Sequence, residues 1–169
     1  MIVAPELATA WYKGRMSRRA QITMSDGEVR DFLGEQLTAQ VATIGPNGRP
    51  HLVPVFYVAR GEAVATWTYA KSQKVANLRR LAQATVLVEA GQAYEELRGV
   101  SMECDVEILE DVEQIALIGH ELTGRMIGNP DVAASAGQFV RAQAAKRVGL
   151  VFRPTKVISW DHAKLGGAY

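Results

Sequence analysis

Apolar and polar residues alternate along some stretches of the chain and recur at helical spacing along others, and the changes of period divide it into elements. Val29, Phe32, Leu33 and Leu37 recur at helical intervals, and Ser25-Asp26-Gly27-Glu28 just before them has the serine-to-glutamate spacing of a capping box. A short helix is therefore expected to start there. Residues 39–44 then alternate as a strand does. Gly45-Pro46-Asn47-Gly48 supplies a tight turn with positions suited to φ > 0, and residues 50–59 form the returning strand. Arg60-Gly61 turns the chain again into residues 63–69, so three successive antiparallel strands are expected to make a meander. Pro54, which has no N–H to donate, places the second strand at a sheet edge or at a bulge.

Helical spacing returns after Ser72 at Val75, Leu78 and Leu81. Residues 85–89 read as a strand, 90–96 as a polar loop and 98–109 as a long alternating strand. Asp111 opens a helix with Val112, Ile115, Ile118, Leu122 and Met126 on one face. Asn129-Pro130 stops it, and Asp131 caps a second, alanine-rich helix with Val132, Phe139 and Val140 that runs to about Arg147. Two closing strands, 148–153 and 156–160, flank Pro154-Thr155.

This order gives about seven strands with hairpins at the front and helices inserted late. The expected fold is mainly β, a Greek-key antiparallel barrel with two helical insertions at about 111–147, in a single domain over residues 25–169 preceded by an arm over 1–24. A βαβ architecture would need a crossover helix between most strands, and the pattern does not supply one.

With 169 residues, 48% of them apolar, the chain can bury one core. Its formal net charge of +1 gives no bulk electrostatic reason to bind nucleic acid or membrane. Lys13, Arg15, Arg18 and Arg19 cluster locally and read as a solvated arm that reaches a partner subunit. One cysteine excludes an intrachain disulfide framework, and no leading signal-like segment or spanning apolar run is present, so a cytoplasmic setting is expected. His51, His120 and His162 lack ligand spacing, and no metal is expected. There is no G-x-S-x-G, P-loop or G-x-G-x-x-G. Cys104 reads as a buried inert thiol and Glu95 and Glu96 as solvated carboxylates, which leaves no catalytic side chain singled out.

The chemistry concentrates at the junction from Trp67 to Leu78. Lys71, Ser72 and Lys74 stand where the first N–H groups of the helix have no intrahelical partner and the dipole is positive, an arrangement that receives an anion. The same residues also fit a simple cap at Ser72 flanked by surface lysines, and by themselves they leave both readings open.

Four blocks in one order carry a resemblance: Thr43-Ile44-Gly45-Pro46-Asn47-Gly48-Arg49-Pro50-His51, Trp67 through Leu78, Leu97-Arg98-Gly99-Val100, and Ser159-Trp160-Asp161-His162-Ala163-Lys164-Leu165-Gly166. The chain resembles the flavin-binding split β-barrel superfamily of pyridoxamine 5′-phosphate oxidase, and within it the flavin/deazaflavin oxidoreductases of the B group. The resemblance implies a homodimer with its sites between subunits. Pro54, Val55 and Phe56 would offer backbone contacts to the cofactor ring, and Trp67 and Thr68 would line its other edge. Lys71, Ser72, Gln73 and Lys74 would hold its phosphate, and Trp160 would come from the partner.

The departures narrow what is implied. Gln73 stands where the vitamin oxidases have arginine, Gly99 where they have glutamine, and Lys164-Leu165-Gly166-Gly167-Ala168-Tyr169 where they have an Arg-Leu-His-Asp-Arg tail. Oxidation of vitamin B6 is therefore not expected. The Lys-Ser-Gln-Lys form is similar to that of relatives binding the deazaflavin coenzyme F420, whose oligoglutamate tail would suit Arg79 and Arg80. The implied activity is hydride transfer between reduced coenzyme F420 and a small unsaturated or aromatic acceptor. The alternatives are an FMN-dependent oxidoreductase of the same fold, and a non-catalytic protein that binds a cofactor or a tetrapyrrole such as haem or biliverdin.

Overall fold

A computed structural model describes residues 18–128 and 136–166. Seven strands form one antiparallel sheet: β1 (Thr38–Ile44), β2 (Pro50–Phe56), β3 (Val58–Arg60), β4 (Ala63–Tyr69), β5 (Gln83–Ala90), β6 (Arg98–Leu109) and β7 (Arg147–Asp161). The described helices are α1 (Arg18–Ile22), α2 (Asp26–Glu35), α3 (Gln73–Arg80), α4 (Val112–Ile127) and α5 (Gly137–Ala144). Short 3₁₀ turns occupy Tyr94–Glu96 and His162–Leu165.

Strand order is β2-β1-β5-β6-β7-β4-β3, which places β2 and β3 at opposite edges although only Tyr57 separates them in the chain. A flat sheet of this width would hold those edges roughly 29 Å apart at about 4.8 Å per strand, far beyond the reach of one residue. The sheet must therefore curl until its edges meet, and the result is a half-barrel. Tyr57 pins the seam. Its side chain is 1% exposed, its hydroxyl donates to the Leu33 carbonyl at 2.7 Å, and its N–H donates to Leu37 at 3.2 Å. Burial pushes the phenol up to about 12. From β4, next to the other edge strand, the Thr66 hydroxyl donates to the Phe56 carbonyl at 2.6 Å.

Two expectations are corrected by this topology. The run 50–59 is not one strand of a meander: it breaks at Tyr57, β2 pairs only with β1, and β3 pairs with β4. The two closing strands are one continuous strand, β7, with Thr155 as the extra residue of a bulge where Glu103 faces Lys156 and Cys104 faces Pro154. Pro154 is tolerated because β4 pairs with β7 only as far as Phe152, so beyond that point β7 has β6 alone as a neighbour.

Alternation decides what fills the barrel. Val41, Val64, Val86, Val88, Val100, Met102, Leu150 and Phe152 face inward with Phe32 and Leu33 of α2 and with Val75 and Leu78 of α3. On the outer face, Ile118 and Leu122 of α4 pack on Val58, Ala65 and Val151, while Ile115 and Ala116 meet Ala144 of α5. Gly119 lets α4 approach closely, since a Cβ there would run into the Trp67 indole.

The expected capping box forms between Ser25 and Glu28, and Asp111, the expected opening of α4, accepts from the Gln114 N–H at 2.9 Å. The Leu37, Leu81, Val112, Met126 and Phe139 side chains are exposed although they share an apolar spacing. Leu37 and Leu81 follow the last helical turn, and Val112 and Met126 lie at the ends of α4. Gly128, left-handed at φ 65°, terminates α4. The expected stop at Asn129-Pro130, the cap at Asp131 and Val132 lie outside the described residues, as do Lys13, Arg15 and residues 167–169. Within the stretch expected to be an arm, Arg18–Ile22 is helical, Arg19 is exposed, and Met24 is buried with its N–H donating to Ser159 Oγ at 3.1 Å. No described helix is long and apolar enough to cross a membrane.

Candidate functional site

Along β4 the side chains alternate across the sheet, so Thr66 and Thr68 point into the barrel while Trp67 packs outward on α4 and α5 and Tyr69 lies on the same outer face, exposed. Trp67 and Thr68 thus lie side by side in the backbone and on opposite faces of the strand. Ala70 and Lys71 then lead into α3 through Ser72, whose N–H donates to the Tyr69 carbonyl at 3.0 Å. Ser72 is the N-cap residue, extended at φ −73° and ψ 153°, but its hydroxyl makes no capping bond. Ser72 Oγ is buried with no partner at all. The plain-cap reading of this serine does not hold.

Lys74 is not a surface lysine either. Its ammonium reaches back to donate to Thr68 Oγ1 at 2.9 Å, and desolvation by burial lowers its pKa below that of an ordinary lysine. Lys71 is exposed. The Gln73 amide runs along the helix and donates to Asn77 Oδ1 at 2.9 Å, and Asn77, 2% exposed, donates to Thr43 Oγ1 at 3.0 Å. These two bonds fix the start of α3 to β1. Arg79 and Arg80 are already engaged, the first in an ion pair with Glu110 and the second on the Ile44 carbonyl.

A further basic group approaches from β7. Arg147 lies opposite Tyr69 in the β4–β7 pairing, with its guanidinium 4.4 Å from the Trp67 ring and 4.3 Å from the Tyr69 ring. Its Nε is buried without a partner. The preceding Lys146 accepts the Ala70 N–H on its carbonyl at 3.2 Å. Tyr69, Ala70, Lys71, Ser72, Ala145 and Lys146 line a cleft of about 650 Å³. Sequence reasoning missed Lys146 and Arg147 because they fell at the end of an expected helix, and no local pattern reveals that β7 pairs with β4.

The remaining expected residues are dispersed. Pro54 and Phe56 face outward on β2, and Val55 faces the core, which leaves the outer backbone edge of that strand without a sheet partner. Trp160 pairs with Gly99, and its indole covers that glycine so closely that a Cβ would collide with it. Trp160 stands near one end of the fifteen-residue β7 and Arg147 begins the other, so a single chain does not bring Trp160 to its own Lys71–Lys74 segment. Among the described residues no group of His, Cys, Asp and Glu could hold a metal ion. Cys104 is 3% exposed, and burial pushes its thiol up to about 12, an inert state.

A family model described as pyridoxamine 5′-phosphate oxidase matches residues 25–161, from the cap of α2 to the end of β7. The chain belongs to this family. A crystal structure of the conserved hypothetical protein Rv2991 from Mycobacterium tuberculosis is 38% identical, covering 91% of this chain and 95% of that one, with a TM-score of 0.82. Two more distant structures share the fold. An F420 reductase is 23% identical over 76% of this chain and 94% of its own, TM-score 0.60. The haem storage protein HutZ from Vibrio cholerae is 15% identical over 80% and 95%, TM-score 0.61. No curated protein matches the sequence. At these identities the last two share the fold, so the ligand of this family member has to be argued from its own residues.

Proposed function

We propose that this protein is a coenzyme F420-dependent oxidoreductase that transfers a hydride between the reduced deazaflavin and a small unsaturated or aromatic acceptor. The observation that carries the reading is the buried, partnerless Ser72 hydroxyl at the N-terminus of α3, beside the half-buried Lys74 ammonium. A buried polar atom without a partner is costly, and an oxyanion seated there would accept from Ser72 and from the free N–H groups of the first turn. The residues present therefore fit the phosphodiester of such a cofactor.

Lys71, Ser72 and Lys74 would hold the phosphate, with Gln73 serving through its bond to Asn77 to keep the helix start in place. The open outer edge of β2 at Pro54, Val55 and Phe56 would offer backbone donors and acceptors to the ring, and the backbone at Trp67 and Thr68 would face it from β4. The cofactor supplies the hydride chemistry when bound, and the protein orients it, compensates its charge and excludes water. No side chain is required as a base. The Lys71-Ser72-Gln73-Lys74 form of the junction, with Gln73 where the vitamin oxidases have arginine, favours this ring over FMN.

The reading includes a homodimer. The outer face of β2 exposes Leu52 at 62% and Phe56 at 46%, and Trp160 lies toward the free edge of β7. A second copy would bury these residues and bring its Trp160 to the first chain's cofactor site.

Fluorescence titration with coenzyme F420 and with FMN tests the proposal. Lys74→Ala is expected to weaken F420 binding roughly ten- to a hundredfold through loss of a charge-assisted bond. Unchanged affinity for both cofactors refutes the cradle, and tighter FMN than F420 binding by the unaltered protein transfers the assignment to the flavin.

A further inference from the structure

Basic side chains without a carboxylate partner cluster around the cleft beside α3. Arg60, Arg79, Arg98, Arg141 and Arg153 each pair with a glutamate, respectively Glu121, Glu110, Glu35, Glu113 and Glu107. Among the described residues Arg19, Arg30, Arg49, Arg80 and Arg125 also belong to no ion pair, but Lys71, Lys74, Lys146 and Arg147 lie together where β4 ends and β7 begins, Lys71 and Lys146 lining the cleft itself. The interactions of the Arg147 guanidinium are with the Trp67 and Tyr69 rings, and it makes no hydrogen bond among the described residues. Its Nε is fully desolvated and unbonded. Ser72 Oγ, on the α3 side of the same cleft, is in the same condition.

We propose that Lys146 and Arg147 form a second arm of the anion site, donating to an oxyanion of the bound ligand from the β7 side of the cleft. Trp67 and Tyr69 hold this arm in place by cation–π contact. Arg147 then meets its acceptor with little rotamer freedom left to lose, which is the advantage of a planar fork over a flexible ammonium. Tyr69, Ala70 and Ala145 give the cleft apolar walls, and a low local dielectric strengthens each charge–anion contact made inside it. A volume of about 650 Å³ far exceeds that of one phosphate, so the oxyanion received here is attached to a larger molecule. The inference shares the cofactor reading's premise that the ligand is anionic but assigns new residues to it, and it can be tested without a cofactor ring.

Inorganic pyrophosphate and free tri-γ-glutamate serve as probes of phosphate and carboxylate, with riboflavin as a ring that carries no anion. Binding is measured by thermal shift and by fluorescence on the unaltered protein, Arg147→Gln, Arg147→Lys and Lys146→Gln. At least one anionic probe is expected to bind, with affinity about tenfold lower in Arg147→Gln and in Lys146→Gln and partly restored in Arg147→Lys. Whichever probe shows this dependence identifies the oxyanion. Riboflavin affinity is expected to be the same in all four proteins. The proposal is overturned if neither anion binds the unaltered protein, if both bind all variants equally, or if Arg147→Gln weakens riboflavin as much as the anions, which would make Arg147 a prop for Trp67. Arg147-dependent pyrophosphate binding by a protein that takes neither F420 nor FMN would sink the cofactor reading and leave this arm standing.

Discussion

Lys74 shows how one residue can couple folding to ligand binding. Burial favours the neutral amine, so the pKa in the folded protein lies below the ordinary 10.5. The sign follows: the cost of keeping the ammonium charged is present at all pH values below the lowered pKa and disappears as pH rises through it toward the unfolded value. An anion bound beside Lys74 reverses the preference and stabilises the charge. Anion affinity is therefore expected to be flat through neutral pH and to fall on the alkaline side earlier than an ordinary lysine would allow. Lys74→Arg keeps its charge throughout and should remove that alkaline limb. Titrations of F420 against pH for the two proteins check this, and coincident profiles would mean that Lys74 does not face the anion.

At the scale of elements, α3 is held by a polar contact as well as by Val75 and Leu78. The Gln73–Asn77–Thr43 chain of hydrogen bonds passes through a buried amide, so its loss leaves the Thr43 hydroxyl, 1% exposed, without a donor. Asn77→Ala is expected to lower unfolding stability by about 1–3 kcal/mol in urea, whereas Gln73→Ala, at an exposed position, should change it by less than about 0.5 kcal/mol. Equal effects of the two would show that the chain of bonds does not act through Asn77. This contrast also marks what the sequence reveals. The capping box at Ser25, the opening of α4 at Asp111 and the helix start after Ser72 depend on residues three or four apart and were readable. The break at Tyr57, the bulge at Thr155 and the meeting of Arg147 with Tyr69 depend on strands paired across long sequence separations, for which local periodicity has no signal. The α3 arm of the candidate site was therefore legible, and the β7 arm was not.

For the whole molecule, the curled sheet exposes an apolar outer face that one chain does not cover. Leu52 and Phe56 on β2 are 62% and 46% exposed, and on the same side of β6 and β7 Gly99 lets the Trp160 indole lie close against the sheet. The barrel interior cannot absorb Leu52 and Phe56, because alternation along β2 commits their neighbours Val53 and Val55 to the inside. In a homodimer they would be buried, and an interface that assembles the site would need on the order of 1,200–2,000 Å² in total. Leu52→Glu places a charge in the middle of that face and is expected to yield a folded monomer by analytical ultracentrifugation, because the same side chain is solvated in the isolated chain. Cofactor affinity should fall when the dimer is lost if Trp160 acts across the interface, and Trp160→Ala in a protein that still dimerises should lower it as well. A monomer that binds F420 as tightly as the unaltered protein would confine the site to one chain and remove Trp160 from it.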